Sequence, residues 1–136
     1  MCVGDCVSWR ELTTLFGTVM AKSGLIGPYR LTFEGIDSAV TRRSAGVYAL
    51  GHAAADGRFF VKHVGRSDLD VKARLREHIG SANLFKYEYY PSSQAAFEKE
   101  CELFHDLTPP SNRIHPGRPK GTTWACPRCQ IFHQNG

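Results

Sequence analysis

The chain contains 136 residues, of which 42% are hydrophobic and 22% are charged. This length suits one domain, and the composition is typical of a folded globular protein rather than a disordered one. No run of about 18 apolar residues is present, which argues against a membrane-spanning helix. The first residues lack the apolar core of a secretory signal peptide, so we expect a cytoplasmic protein.

The positive charge is concentrated near the end of the chain. The formal net charge is +4, from 17 Lys and Arg residues against 13 Asp and Glu residues. The excess comes from four basic residues that follow residue 111, where no acidic residue occurs: Arg113, Arg118, Lys120 and Arg128. This basic tail either meets an anionic partner such as nucleic acid or is a solvated segment, and charge alone favours the second interpretation.

Cysteine usage indicates metal binding or buried thiols. The chain has five Cys residues, an odd number that argues against a disulfide framework in a protein without a secretion signal. Cys126 and Cys129 have the CxxC spacing that lets two thiolates bind one zinc ion from a tight turn. Alone this spacing is a weak signal, and two further ligands are needed.

The first part of the chain is expected to form a helical extension. Ser8 and Glu11 have the spacing of a capping box, and apolar residues then recur at helical intervals, which predicts an amphipathic helix over residues 9–22. Residues 25–44 are expected to be irregular, because breakers such as Gly27-Pro28 interrupt any regular pattern.

A β-hairpin is predicted next. Strand-like segments at 46–52 and 58–64 flank Asp56-Gly57, a pair typical of a two-residue type I′ turn because both central residues of that turn need positive φ. Since side chains alternate along a strand, the resulting register places Tyr48 and His63 on one face as diagonal neighbours.

A helix follows the hairpin. Ser67 and Asp70 have capping-box spacing, and the apolar stripe of this helix runs to Gly80. Arg74 and His78 are one helical turn apart beside that stripe. Their side chains should therefore project to the same side.

The last helix contains an unusual carboxylate. A strand over 85–90 precedes this helix, which runs to about Leu107, and Glu100 falls within its apolar stripe. A carboxylate in such a position is costly unless it is paired or bound to a metal. A buried salt bridge with an arginine such as Arg74 and a catalytic or metal-binding role are equally open on this pattern.

This order of elements and residues resembles the GIY-YIG nuclease superfamily. Gly46-Val47-Tyr48 resembles the first element of the family motif, and His63-Val64-Gly65-Arg66 resembles the second. Members of the family have an Arg on the following helix, with a Tyr or His one turn later, and a Glu on the final helix followed by a Pro-containing turn and an Asn. The matching residues here are Arg74, His78, Glu100, Leu103, Pro109 and Asn112.

The resemblance implies an α+β fold. A small three-stranded antiparallel sheet would be flanked by helices, with an N-terminal helix and a short zinc-binding tail added to it. The chain would then divide into a helical extension (1–44), a nuclease-like domain (45–112) and a basic tail with the CxxC motif (113–136).

The resemblance also implies metal-dependent hydrolysis of phosphodiester bonds in nucleic acid, with DNA as the first candidate. Glu100 would hold a catalytic Mg²⁺ or Mn²⁺ ion, and Arg74 would bind the scissile phosphate. Tyr48 and His63 would position or deprotonate the attacking water, and His78 is a candidate proton donor. The expected substrate-binding residues are Arg66, Lys72, Arg76 and Asn112.

One departure from the family concerns the base. The second Tyr of the family motif is replaced by His63 in this chain. Imidazole titrates near neutrality and is a competent general base, so an active enzyme is favoured over a fold that has lost its activity.

The end of the chain resembles small bacterial GIY-YIG proteins that carry a C-terminal cysteine pair. The expected structural zinc ligands are Cys101, His105, Cys126 and Cys129. The first two are one helical turn apart, so the site would tie the tail to the last helix. His115 and His133 are competing ligands for the fourth position, and an unoccupied CxxC beside a buried Cys101 is the alternative.

Two other classes of function remain open. The chain could be an inactive nucleic-acid-binding module with the same fold, and its binding should then weaken steeply with salt. It could also be a structural zinc protein that acts through protein partners, in which case removing the metal would unfold the tail.

Overall fold

The computed structural model describes residues 23–132, which form an α+β fold with one four-stranded antiparallel sheet. The helix predicted over residues 9–22 lies outside the described residues, as does His133. The elements in chain order are β1 (Ile26–Arg30), α1 (Phe33–Ala39), β2 (Gly46–Ala53), β3 (Phe59–Ser67), α2 (Val71–Glu77), β4 (Leu84–Tyr89) and α3 (Ser93–Leu107). The sheet order is β1-β4-β2-β3. Among the described residues, no helix is long and apolar enough to cross a membrane.

The sheet has four strands rather than the three expected, because the segment 25–44 is not irregular. It contains the edge strand β1, which pairs with β4, and the helix α1. Thr32 caps α1 by accepting a hydrogen bond from the Gly35 amide at 3.0 Å. Pro28 has no amide to donate, which an edge strand tolerates. The strand is short and its register shifts within it, so it leaves little periodic signal in the sequence.

The hairpin of β2 and β3 has the predicted register beside Tyr48 but a different turn. Leu50 faces His63, as expected. Nearer the tip the register shifts by one residue, so Gly51 faces Val61 and Lys62 is the extra residue of a bulge.

The turn itself has three residues, 55–57, in place of the predicted two. The Ala54 amide donates to the Arg58 carbonyl at 2.7 Å, which closes the turn. Gly57 has φ +89°, so only one turn residue has positive φ. A type I turn followed by a left-handed residue is a common alternative to the type I′ turn.

Helices cover both faces of the sheet. On one face, α1 and α2 pack over a cluster that includes Tyr48, Leu50 and Phe85 from the strands and Leu75 from α2. We name this the α1/α2 face. On the other, the α3 face, strand residues such as Val64 pack against α3. The sheet is therefore the middle layer of three, and alternate residues of each strand belong to different layers.

Hydroxyl and carboxylate caps set where the helices α2 and α3 begin. Asp70, rather than Ser67, caps α2 by accepting from the Ala73 amide at 3.2 Å. The Ser67 hydroxyl instead accepts from the Asp70 amide at 2.9 Å, which makes a turn into the helix. Ser92 caps α3 by accepting from the Ala95 amide at 3.1 Å.

The segment after α3 contains no helix or strand over residues 108–132. It packs on α3 through a small cluster in which Phe97 and Cys101 of the helix contact Cys126. The Phe97 and Trp124 rings lie 5.8 Å apart. The described part of the basic tail is therefore seated on the last helix.

Gly65 provides a test of the packing beneath the sheet. The Tyr48 ring lies directly over this glycine, and a Cβ at position 65 would overlap the phenol. Gly65→Ala should therefore lower the free energy of unfolding by about 1–3 kcal/mol, the usual cost of overpacking. Urea denaturation measures this loss.

The matched control is Gly117→Ala, because a Cβ at position 117 meets no atom within 4 Å. This control should leave stability unchanged within about 0.5 kcal/mol. Equal effects of the two substitutions would show that the Tyr48 ring does not depend on Gly65.

Candidate functional site

Tyr48, His63 and His78 form a compact aromatic group on the α1/α2 face, which we name the Tyr-His cluster. The Tyr48 hydroxyl and His78 Nε2 share a hydrogen bond of 2.9 Å. The His63 ring lies 6.5 Å from the Tyr48 ring and 5.5 Å from the His78 ring, centroid to centroid. The hairpin register supplies the first two residues, and the end of α2 supplies the third.

Burial keeps the Tyr-His cluster uncharged at neutral pH. It lowers the pKa of His63 below the ordinary 6.5, and the neighbouring His78 and Lys62 lower it further. Burial also lowers the pKa of His78, with Arg74 adding to the effect. For the Tyr48 phenol, burial raises the pKa. The two imidazoles are therefore neutral at pH 7 and able to accept a proton.

Arg74 provides positive charge at the rim of this cluster. Its side chain is 49% exposed, and its nearest acidic partner, Glu77, is 3.7 Å away on the same helix. Arg74 lies one helical turn before His78, and its charge opposes the effect of burial on the pKa of Tyr48. A planar guanidinium in this position is suited to an incoming anion such as a phosphate.

Glu100 is buried, with 8% of its surface exposed, and its partner is Arg66 rather than Arg74. Arg66 donates from Nη1 to Glu100 Oε1 at 2.7 Å and from Nε to Asp68 at 2.9 Å. Burial raises the pKa of Glu100, and the hydrogen bond from Arg66 opposes that rise. The pKa of Arg66 is raised because its two acidic partners outweigh the opposing effect of burial.

Glu100 and the Tyr-His cluster belong to different layers. Glu100 is on α3, and Arg66 alternates with Gly65, so the Arg66 side chain points to the α3 face. Tyr48 lies on the opposite face. The Glu100 charge still contributes to the raised pKa of Tyr48, so the two sites interact electrostatically across the sheet.

The four expected substrate-binding residues already have protein partners. Lys72 and Arg76 both approach Asp37 on α1, at 3.0 and 2.8 Å. Asn112 forms two hydrogen bonds with the Val64 backbone, accepting from the amide at 2.8 Å and donating to the carbonyl at 2.9 Å. With Arg66 bound to Glu100, these side chains are positioned by protein contacts. Because the helix α1 was not predicted, the ion pairs of Asp37 with Lys72 and Arg76 were not expected from the sequence.

A second group of chemistry-bearing residues lies where the tail meets α3. One potential ligand atom from each of four residues falls within 4.8 Å of the other three: His105, His115, Cys126 and Cys129. This donor set is compatible with zinc. Cys101, expected to be a ligand, is not in this group, which instead contains His115, the histidine expected to compete for the fourth position. Cys101 is instead wholly buried against Phe97 and Cys126.

No family model, curated protein or solved structure matches this chain.

The lowered pKa of His63 predicts a pH-dependent contribution to stability. Because the unfolded state protonates near 6.5 and the folded state only at lower pH, the free energy of unfolding should fall as pH falls through that interval. In His63→Gln this fall should be shallower, since one such group is gone. Urea denaturation at pH 7.5 and 5.5 measures both slopes.

The control for this experiment is His52→Gln, which removes an exposed histidine of the same hairpin. It should retain the wild-type slope. A His63→Gln slope as steep as wild type would mean that His63 titrates alike in both states.

Proposed function

We propose that this protein is a metal-dependent endonuclease that hydrolyses phosphodiester bonds of nucleic acid, DNA in the first place, by a GIY-YIG type of mechanism. The observation that carries the proposal is the Tyr-His cluster with Arg74 at its rim. Residues from three separated positions meet there: two from the hairpin and one from the end of α2. Their order is that of the motif that the sequence resembles, with His63 in place of the second Tyr of that motif.

Hydrolysis of a phosphodiester needs an attacking water, stabilisation of negative charge on the phosphorane-like centre, and protonation of the leaving oxygen. His63 is the proposed base, because its imidazole is neutral at pH 7 and accepts a proton from water. Tyr48 orients that water, and its hydrogen bond with His78 holds the phenol in place. His78 is the proposed proton donor to the leaving oxygen. Because it is neutral at pH 7, it must first receive the proton that His63 takes from the water, and the two rings lie 5.5 Å apart.

Arg74 is the proposed phosphate ligand. Its side chain is half exposed, and its ion pair with the exposed Glu77 is long at 3.7 Å, so an incoming phosphate displaces little. A forked, permanently charged donor stabilises the extra charge of the transition state. Lys72 and Arg76 are weaker candidates for this role, since each would have to leave or share Asp37.

Glu100 is the carboxylate that would hold the proposed Mg²⁺ or Mn²⁺ ion. Magnesium sites at phosphates often use one or two carboxylates plus substrate oxygens. The hydrogen bond from Arg66 favours the ionised form of Glu100. It is made to Oε1, which leaves Oε2 as the proposed metal ligand. A divalent cation there would supply Lewis-acid stabilisation of phosphate charge. The second predicted ion, Zn²⁺, takes no part in this reaction.

The Arg66–Glu100 pair also favours a second candidate function, an inactive nucleic-acid-binding module. A carboxylate that is already satisfied by an arginine, in a different layer from the Tyr-His cluster, is a structural ion pair in that case. Arg74 and the basic tail would then bind phosphates without turnover. Such binding weakens steeply with salt and needs no divalent ion.

A cleavage assay distinguishes these functions. Supercoiled, branched and single-stranded DNA would be incubated with the protein and Mg²⁺ or Mn²⁺. Glu100→Gln should reduce cleavage by about 100-fold or more, as should Arg74→Lys, since each loses a charge or fork that stabilises the transition state. Glu98→Gln, on the same helix, is the control and should cleave like wild type.

Full activity in Glu100→Gln would contradict the metal-dependent mechanism. Salt-sensitive DNA binding by the wild-type protein, with no product from any substrate, would overturn the enzyme proposal and support the binding module.

The pH dependence of cleavage tests His63 as the base. The wild-type rate should fall only as pH drops through the pKa of His63, below 6.5. In His63→Tyr the base becomes a phenol with an ordinary pKa of about 10, so the rate should rise at alkaline pH instead. An unchanged pH profile in His63→Tyr would exclude His63 from proton transfer.

A further inference from the structure

We infer that one histidine of α3 and three residues of the tail bind one zinc ion in a closed tetrahedral site. This ion fixes the tail segment that holds Arg66. The proposed ligands are His105, His115, Cys126 and Cys129. The inference stands whether or not the protein cleaves nucleic acid. It rests on the geometry and hydrogen bonding of these four side chains.

The spacing of the four ligand atoms is close to that of a zinc site. They lie within 4.8 Å of one another. Zn–N bonds of about 2.0 Å and Zn–S bonds of about 2.3 Å require tetrahedral edges of roughly 3.3–3.8 Å. The distances between the ligand atoms therefore need to shorten by roughly 1 Å to complete the tetrahedron. Rotation of the two histidine rings and a small movement of the CxxC turn can supply this shortening.

His105 presents a buried nitrogen that needs a partner. Within residues 23–132, Nε2 of His105 is the buried side-chain nitrogen or oxygen atom that lacks a hydrogen bond. Leaving such an atom unsatisfied is costly, and native structures rarely do so. A metal ion in the group removes that cost, because the Nε2 lone pair becomes a ligand.

His115 is already oriented as a metal ligand. Its Nδ1 lies 2.9 Å from the Pro116 carbonyl, which only accepts hydrogen bonds, so the proton is on Nδ1. In the neutral ring the lone pair is then on Nε2, which lies 3.5 Å from the Cys129 sulfur. A histidine whose other nitrogen donates to a backbone carbonyl is the usual arrangement at zinc.

The CxxC turn is also arranged for thiolate ligands. The Arg128 amide donates to Cys126 Sγ at 3.3 Å, a contact that stabilises negative charge on the sulfur. Cys126 is only 1% exposed, and an uncompensated thiolate there would be unfavourable. Two thiolates and two neutral imidazoles balance the charge of Zn²⁺, so the buried complex is neutral.

Charge also explains why His115 replaces Cys101 as the fourth ligand. A site with three thiolates and one histidine carries a net charge of −1, close to the buried carboxylate of Glu100. Cys101 lies one residue from Glu100, packed against Phe97 and Cys126.

The proposed ion connects to Arg66 through a short stretch of backbone. Pro116 orients the His115 ring, and the next carbonyl, Gly117, accepts a hydrogen bond from Arg66 Nη2 at 2.9 Å. Arg66 in turn binds Glu100, which is on the same helix as His105. Zinc therefore closes a loop of contacts that holds β3, α3 and the tail together.

Metal analysis of the full chain is the first test. The wild-type protein should contain about one zinc ion per chain, as a closed four-ligand site predicts. His115→Ala and Cys129→Ser should bind zinc about tenfold or more weakly in competition with a chelating dye, because loss of a ligand exceeds the usual cost of losing an outer-shell contact. Cys101→Ala and His52→Ala are the controls, and both should retain wild-type affinity.

Cobalt reconstitution tests the ligand set without substitutions. Co²⁺ added to the metal-free wild-type chain should give a tetrahedral spectrum with sulfur-to-cobalt charge transfer from two thiolates. Absence of metal binding by the wild type would overturn the site. A three-thiolate spectrum, or loss of zinc in Cys101→Ala with retention in His115→Ala, would overturn the proposed ligands.

Limited trypsin digestion tests whether the ion fixes the tail. The exposed residues Lys120, which precedes the CxxC turn, and Arg128, which lies within it, are cleavage sites, and zinc should protect both. Chelation should accelerate cleavage at these sites several-fold, while cleavage after Arg58 at the far hairpin turn stays unchanged and serves as the internal control. Equal cleavage rates with and without zinc would refute the proposed role of the ion in holding the tail.

Discussion

The Arg66 guanidinium is the contact on which the arrangement of the last third of the chain depends. It binds a carboxylate beyond the end of its own strand (Asp68), a carboxylate on α3 (Glu100) and a backbone carbonyl of the tail (Gly117). Its carbon centre also lies 5.1 Å from the centre of the Phe97 ring. Removing one member of a buried pair leaves an uncompensated charge. The strand β3, which carries Arg66, is therefore joined to both α3 and the tail through this one cation.

A second constraint acts on the α1/α2 face of the sheet, where the Tyr48 side chain of β2 extends over the neighbouring strand β3. The Tyr48 ring rests on Gly65, and this leaves its hydroxyl free to reach His78 at the end of α2. The bulge in the hairpin matters here because it lies on the tip side of Leu50 and His63. The irregular turn therefore does not disturb the register at the Tyr-His cluster.

Local sequence signals predicted the parts of the molecule that depend on neighbouring residues. The hairpin register at Tyr48 and the extent of α3 follow from alternation, capping and an apolar stripe. What escaped prediction depends on contacts between distant segments. The partner of Glu100 is 34 residues away along the chain, and Asp37 meets Lys72 only because α1 packs beside α2. His115 groups with His105, Cys126 and Cys129 because of the path of an irregular tail, and no sequence periodicity describes that path.

The hydrogen bonds of Asn112 also cover part of the open edge of the sheet. β3 is an edge strand, and its outer amides and carbonyls would otherwise be open to another chain. Asn112 pairs with both backbone groups of Val64, and the Ser111 amide donates to the Lys62 carbonyl at 2.9 Å. Two residues of the segment between α3 and the tail thus imitate part of a fifth strand. They occupy backbone groups of β3 that another strand would need for pairing, so this part of the border is not available for sheet extension.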